Sequence, residues 1–174
     1  MMPRLTVALL FALGACDDGG GDRTARPDPV PLTAEATGHF CGMTVTTHPG
    51  PKAQVHVAGL PEPLFFSSVR DGIAFLKSPE TLGAIAAAYV TDMGAAESWA
   101  EPGRDNWISA GNAHFVVGSR RRGGMGAPEI VPFATSADAA AFAAEQGGDV
   151  MTLDAIPEAA ALGAVDLVFE ERQP

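Results

Sequence analysis

The stretch AQVHVAGLPEPLFFSSVRDGIAFLK, Ala53–Lys77, decides the fold. Ala53 to Ala58 alternates apolar residues with Gln54 and His56, the period of two expected of a strand with one face on a core. Gly59-Leu60-Pro61-Glu62-Pro63 is turn material, and Leu64-Phe65-Phe66 is a second, shorter strand. Ser67 and Ser68 can cap a helix, and Asp71, three residues after Ser68, completes a capping-box variant. Val69, Ile73, Phe75 and Leu76 then give that helix an apolar face. Ile85 to Val90 follows as a buried strand running into Thr91-Asp92-Met93-Gly94. The order is β-β-α-β.

The theme returns downstream. Phe115-Val116-Val117 and Ile130-Val131-Pro132-Phe133 are strands. Thr135 or Ser136 caps a helix running to Gln146, Gly147-Gly148 stops it, and Val150-Met151-Thr152-Leu153 closes the unit. Both halves carry a His-Phe pair, His39-Phe40 and His114-Phe115, and a Gly-Met pair before their helix, as an internal duplication would. The fold class expected is α+β: two tandem β-β-α-β halves forming one compact domain over residues 32–156. Residues 157–174 are Ala-rich and then acidic, a final helix or a tail.

Composition agrees. Of 174 residues 47% are hydrophobic and 18% charged, enough apolar material for a core and too little charge for wholesale disorder. The 20 Gly and 14 Pro imply many turns and disfavour a helical bundle. The formal net charge of −10 makes nucleic acid a poor partner.

Residues 1–15 read as an export leader: Arg4, a short apolar run from Leu5 to Ala12, then Leu13-Gly14-Ala15 ahead of Cys16. The run is too short to span a bilayer. Leu-Gly-Ala-Cys matches the bacterial lipobox, in which the Cys is lipidated after cleavage, and several acyl chains hold a protein at a membrane. Residues 16–31, glycine-rich and then proline-rich, form the tether. Asp17 resembles the retention signal of inner-membrane lipoproteins, so the expected address is the periplasm, anchored through Cys16, with the inner membrane favoured.

Cysteine counting then isolates a thiol. Of two Cys, Cys16 carries lipid, leaving Cys41 without a disulfide partner in an oxidising compartment. It lies in His39-Phe40-Cys41-Gly42-Met43. Thiolate and thioether are soft donors that together select Cu(I) over hard cations. Taken alone, Cys41 is equally a small buried hydrophobe and Met43 core filler. Met125, between glycines in Gly123-Gly124-Met125-Gly126, is presented from a loop, and Met93 ends a strand; both are candidate ligands. Met151, in an alternating strand, is assigned to the core. His39 is near enough to Cys41 to join a site, while His56 alternates with valines as one face of a strand. No Cys-x-x-Cys and no helical His pair point to zinc. Arg120, Arg121 and Arg122 stand out in so acidic a chain; they are a solvated loop or a docking patch for an acidic partner. No nucleophile signature, phosphate loop or carboxylate pair suggests catalysis.

Six fragments in order resemble the NosL family of nitrous oxide reductase accessory lipoproteins. They are Phe40-Cys41-Gly42-Met43 with His48-Pro49-Gly50-Pro51-Lys52-Ala53-Gln54, Phe65-Phe66-Ser67-Ser68, Tyr89 to Gly94, Phe115 to Ser119, Gly124 to Glu129, and the helix ending at Gly147-Gly148. The resemblance covers about Leu32 to Ile156. It implies a fold of two β-β-α-β halves and a Cu(I) chaperone. It also implies delivery to the maturation machinery of nitrous oxide reductase, with the periplasmic NosD protein and its ABC transporter as partners. Carried onto this chain, the metal site is Cys41 and Met43, then Met125 and Met93. Many family members have a second Cys before the Cys-Gly-Met motif; this chain has His39 there, a substitute ligand. The alternative from another class is a metal-free adaptor lipoprotein recruiting a partner through the Arg loop.

Overall fold

The computed structural model describes residues 26–78 and 82–165. The expected leader, the expected lipidation site Cys16 and most of the expected tether lie outside the described residues. Strands β1 (Ala53–Val57), β2 (Leu64–Phe66) and β3 (Ile85–Thr91) with helix α1 (Val69–Lys77) form the first β-β-α-β unit. Strand β4 (Trp107–Ser109) adds an edge. The second unit is β5 (His114–Val117), β6 (Val131–Phe133), α2 (Ser136–Gln146) and β7 (Asp149–Met151), and a short helix α3 (Glu158–Leu162) follows. The C-terminal alternative thus resolves to a helix as far as Leu162.

The sheets are antiparallel, ordered β2-β1-β3-β4 and β6-β5-β7. In each, the first strand of the unit is central, flanked by the second and third, so the repeat holds at the level of topology. The two dipeptide pairs do not follow it. His114-Phe115 lies in central strand β5, whereas His39-Phe40 lies in a turn well before β1. Gly42-Met43 precedes β1, whereas Gly124-Met125 lies between β5 and β6. Those similarities belong to local sequence and carry no structural equivalence.

The helix starts are as expected. The Ser68 hydroxyl accepts from Asp71 N–H at 3.1 Å and the Thr135 hydroxyl from Asp138 N–H at 3.1 Å, each satisfying an otherwise unpaired first-turn donor. Gly147, at φ +77°, ends α2 in a conformation that favours glycine. One core joins the halves: Val55, Phe66, Ile73, Phe75 and Val90 pack with Phe115, Ile130 and Ile156, and Met151 leans on the same cluster. A second, smaller cluster of Val116, Val131, Phe133 and Ala139 lies in the second half.

The alternation in β1 predicts a half-buried strand, yet Gln54 is buried. The chain near the end of the expected tether explains this. The Gln54 side chain exchanges hydrogen bonds with Val30, accepting from its N–H at 3.0 Å and donating to its carbonyl at 2.9 Å. The Tyr89 hydroxyl donates to the Pro27 carbonyl at 2.6 Å, and the Arg26 guanidinium lies over the Tyr89 ring. Residues 26–30 thus cover the polar face of the sheet.

Helix α1 meets β1 at Gly72, where a Cβ would stand 2.5 Å from the Ala53 Cβ. A helix-interior glycine costs roughly 1 kcal/mol against alanine, so the close approach must be worth more. Gly72→Ala is expected to destabilise the fold by about 1–2 kcal/mol in urea unfolding, because overpacking outweighs the propensity gain.

Candidate metal centre

Cys41 and Met43 do not sit on an extended strand. Residues 38–43 close a tight turn: Gly42 N–H donates to the Gly38 carbonyl at 2.8 Å, and Gly38 N–H to the Met43 carbonyl at 2.8 Å. Gly42, at φ +67°, makes the reversal possible. The turn is fixed to the fold at two points. His39 N–H donates to the Phe65 carbonyl at 2.7 Å, and Cys41 Sγ lies 3.3 Å from the hydroxyl of Ser67, a buried residue. Gly38 is needed beneath the thiol, since a Cβ there would lie 2.6 Å from Cys41 Sγ. Cys41 is half-buried, while Phe40 and Met43 are exposed at 54% and 43%, unusual for such large apolar side chains beside a thiol.

The Met125 loop reaches the same corner from the other half. It is not the free loop its glycines suggest. Gly123 N–H donates to the Ala127 carbonyl and Gly126 N–H to the Gly123 carbonyl, both at 2.9 Å, and Arg122 pairs with Pro128 as a bridge. Gly123 packs beside the Ser68 Cβ, next in sequence to the Ser67 that meets Cys41. Gly124 packs on His48 and Pro49, so closely that a Cβ would lie 2.6 Å from the His48 Cβ. Met125 itself is 40% exposed. Two sulfur-bearing loops from distant parts of the chain therefore border one serine corner at the start of α1.

The other candidates are occupied differently. The His39 ring packs edge-on against Phe66 and Phe75, with centroids 5.8 and 5.6 Å away. Met93 packs against the second-half cluster, as do Trp99 and Phe142, and its N–H donates to the Pro132 carbonyl at 2.9 Å. The structure gives both side chains a packing role. His56 stays in β1, contacting Gln54 and Tyr89. The three arginines are exposed at the entry to the Met125 loop. Arg122 donates to the Gly126 carbonyl at 3.0 Å, the Arg121 guanidinium lies 5.0 Å over the Trp99 ring, and Arg120 donates to the Glu145 carbonyl.

Two charged residues that sequence reading missed lie beneath these loops. Lys52 and Glu129 are each 1% exposed. Lys52 Nζ donates to the Gly50 carbonyl. Glu129 Oε1 accepts from Arg70 N–H and Ile130 N–H, both at 3.0 Å. Burial pushes Glu129 up to about 8 and Lys52 down to about 8, and their mutual attraction opposes both shifts. Lys and Glu read as surface residues in a sequence; only their place in otherwise apolar-to-turn stretches could have hinted at burial.

Chemically, the corner offers the Cys41 thiol, with Met43 in the same turn and Met125 in the neighbouring loop. Among the described residues no group of three or more His, Cys, Asp or Glu is gathered that could hold a metal, so the donor set a zinc or calcium site needs is not assembled there. Fold and corner together define the class: a two-unit α+β protein with a thiol held in a tight turn against Ser67 and a methionine-bearing loop packed beside Ser68, just before α1.

Comparison with known proteins places it within that class. A family model described as NosL matches residues 29–161. A copper-binding lipoprotein NosL of Achromobacter cycloclastes is 48% identical over 97% of this chain and 86% of its own length. The protein of that name from Stutzerimonas stutzeri is 34% identical over 89% of this chain and 79% of its own length. The crystal structure of the copper chaperone NosL from Shewanella denitrificans superposes with a TM-score of 0.71 at 35% identity, covering 76% of this chain and 97% of that one. The chain belongs to the NosL family. These relatives are described as a copper chaperone and copper-binding lipoproteins, not as enzymes.

Proposed function

We propose that the chain is a periplasmic Cu(I) chaperone, anchored through lipidated Cys16 in the inner membrane, that delivers copper for maturation of nitrous oxide reductase. Cys41, Met43 and Met125 are its copper ligands. The observation that supports this reading is that Cys41 touches Ser67 while Gly123 of the Met125 loop packs beside Ser68, the next residue. The copper-binding names of its relatives support the cargo. The maturation target, with NosD and its ABC transporter as partners, follows from the family resemblance.

The donor set suits a carrier. A thiolate supplies affinity for a soft ion, and thioethers complete a low-coordinate shell without adding charge. Exposed Met43 and Met125 leave room for an acceptor's ligands to enter before these depart. Arg120, Arg121 and Arg122, beside that opening, fit an acidic surface on the acceptor.

The test is competition for Cu(I) against a chromophoric chelator such as bicinchoninate, under reducing conditions. The protein is expected to hold one Cu(I) tightly, and Met43→Ala and Met125→Ala each to weaken binding roughly tenfold, about 1.4 kcal/mol. Affinity no better than a free thiol's in the unsubstituted protein would leave the metal-free adaptor as the surviving reading.

A further inference from the structure

Glu129 is unexplained by packing alone. A buried carboxyl is costly unless its oxygens are satisfied. Oε1 accepts two backbone N–H groups, one of them from Arg70 in the first turn of α1, but Oε2 is buried with no hydrogen-bond partner among the described residues. That second oxygen faces the Met125 loop: a Cβ on Gly123 would lie 2.5 Å from Oε2 and 3.4 Å from the carboxyl carbon. The loop backbone therefore rests directly on the carboxyl. Glu129 N–H also donates to the Arg121 carbonyl at 3.1 Å, tying the base of the loop from the same residue.

We propose that Glu129 is the positioning residue for Met125. It bridges the start of α1, where Ser67 meets Cys41, to the underside of the Met125 loop, and so fixes one sulfur donor relative to the other. This rests on the reading of Met125 as a copper ligand. Glu129 touches the loop and not the metal, so its effect passes through Met125. An apolar residue of similar size would fill the space without accepting from Arg70 N–H, so the position calls for an acceptor.

The experiment uses the full chain in detergent and seven variants: Glu129→Ala, Glu129→Gln, Gly123→Ala, each of these combined with Met125→Ala, and Met125→Ala alone. Gly123→Ala perturbs the contact from the exposed side and so reports even where Glu129→Ala fails to fold. Cu(I) affinity is read by chelator competition. Loop position is read, without copper, from the methyl resonances of 13C-labelled methionine. Glu129→Ala and Gly123→Ala are expected to weaken Cu(I) binding about tenfold, in the range of lost outer-shell support, and to move the Met125 methyl resonance while leaving Met151 in place. In the Met125→Ala background the same changes are expected to have almost no further effect. Glu129→Gln keeps size and acceptor and should stay within about twofold. Unchanged affinity and methyl position in folded Gly123→Ala protein, or an equal loss with and without Met125, overturns the assignment. If Met125→Ala alone leaves affinity unchanged, the ligand reading fails, and the copper-free methyl shift decides separately whether Glu129 seats the loop.

Discussion

Cys41→Ser is expected to abolish tight Cu(I) binding, with affinity falling by at least about 100-fold, beyond what loss of an outer-shell partner costs. Serine preserves size and the contact with Ser67, so the turn at residues 38–43 should persist. What changes is the donor. An alcohol oxygen is hard and stays protonated at neutral pH, whereas a thiolate is soft and charged. Met43 and Met125 cannot compensate, because neither carries charge. Chelator competition gives the number, and near-ultraviolet circular dichroism shows whether the aromatic cluster of His39, Phe40, Phe66 and Phe75 beneath the turn is intact. A Cys41→Ser protein that still competes as well as its parent would remove the thiolate from the site and with it the chaperone reading. Reversible oxidation of Cys41 together with indifference to Met43→Ala and Met125→Ala would instead mark a redox thiol.

The architecture was legible because periodicity and caps agree with the tertiary result. Ser68 and Thr135 are caps in both readings, and the central strands β1 and β5 fall where alternating or apolar runs lie. Strand β4 was not legible. Trp107–Ser109 has three residues, no alternation, and is a strand only because β3 offers a free edge to pair with. The burial of Gln54 was hidden for a similar reason: the segment covering it comes from a proline-rich stretch that reads as linker.

At the candidate site the sequence supplied residue types but not their surroundings. Cys41 and Met43 were visible as a soft pair two residues apart. Their geometry is a glycine turn, because Gly42 adopts φ +67° and Gly38 closes the hydrogen bonds. Met125 looked free because glycines carry no pattern. In the structure those glycines are contact points, Gly123 on Glu129 and Gly124 on His48. Glu129 and Lys52 left only the faint signal of their place in apolar-to-turn stretches, since a charged residue reads as exposed by default.

Lys52→Met is expected to destabilise the protein in a strongly pH-dependent way. The Lys52 ammonium attracts the Glu129 carboxylate through the low-dielectric interior without bonding to it, since Nζ donates to the Gly50 carbonyl. Here the carboxyl left behind is one whose burial holds it up near 8 against an ordinary 4.5. The unfolded chain ionises Glu129 near the ordinary value, while the folded chain keeps its proton until about 8. Across that window the folded state binds more protons, so its stability falls as pH rises. The Lys52 attraction works against this fall. Without it, Glu129 ionises still later and the loss continues to higher pH. Lys52 itself runs the other way: lowered to about 8 from 10.5, it makes stability rise with pH above 8 in the parent protein, a gain that Lys52→Met also loses. The deficit of Lys52→Met should therefore be small at pH 5, where Glu129 is protonated in both proteins, and grow to about 1–3 kcal/mol as pH rises through 8. Lys52→Met combined with Glu129→Gln should recover most of it, since no buried charge remains. Urea unfolding at pH 5, 7 and 9 gives the three curves. Parallel stability profiles for parent and Lys52→Met would show that the two side chains do not act as a pair. In that case Glu129 is held by its two backbone donors alone, and the polar support beneath the sulfur corner is local to the start of α1.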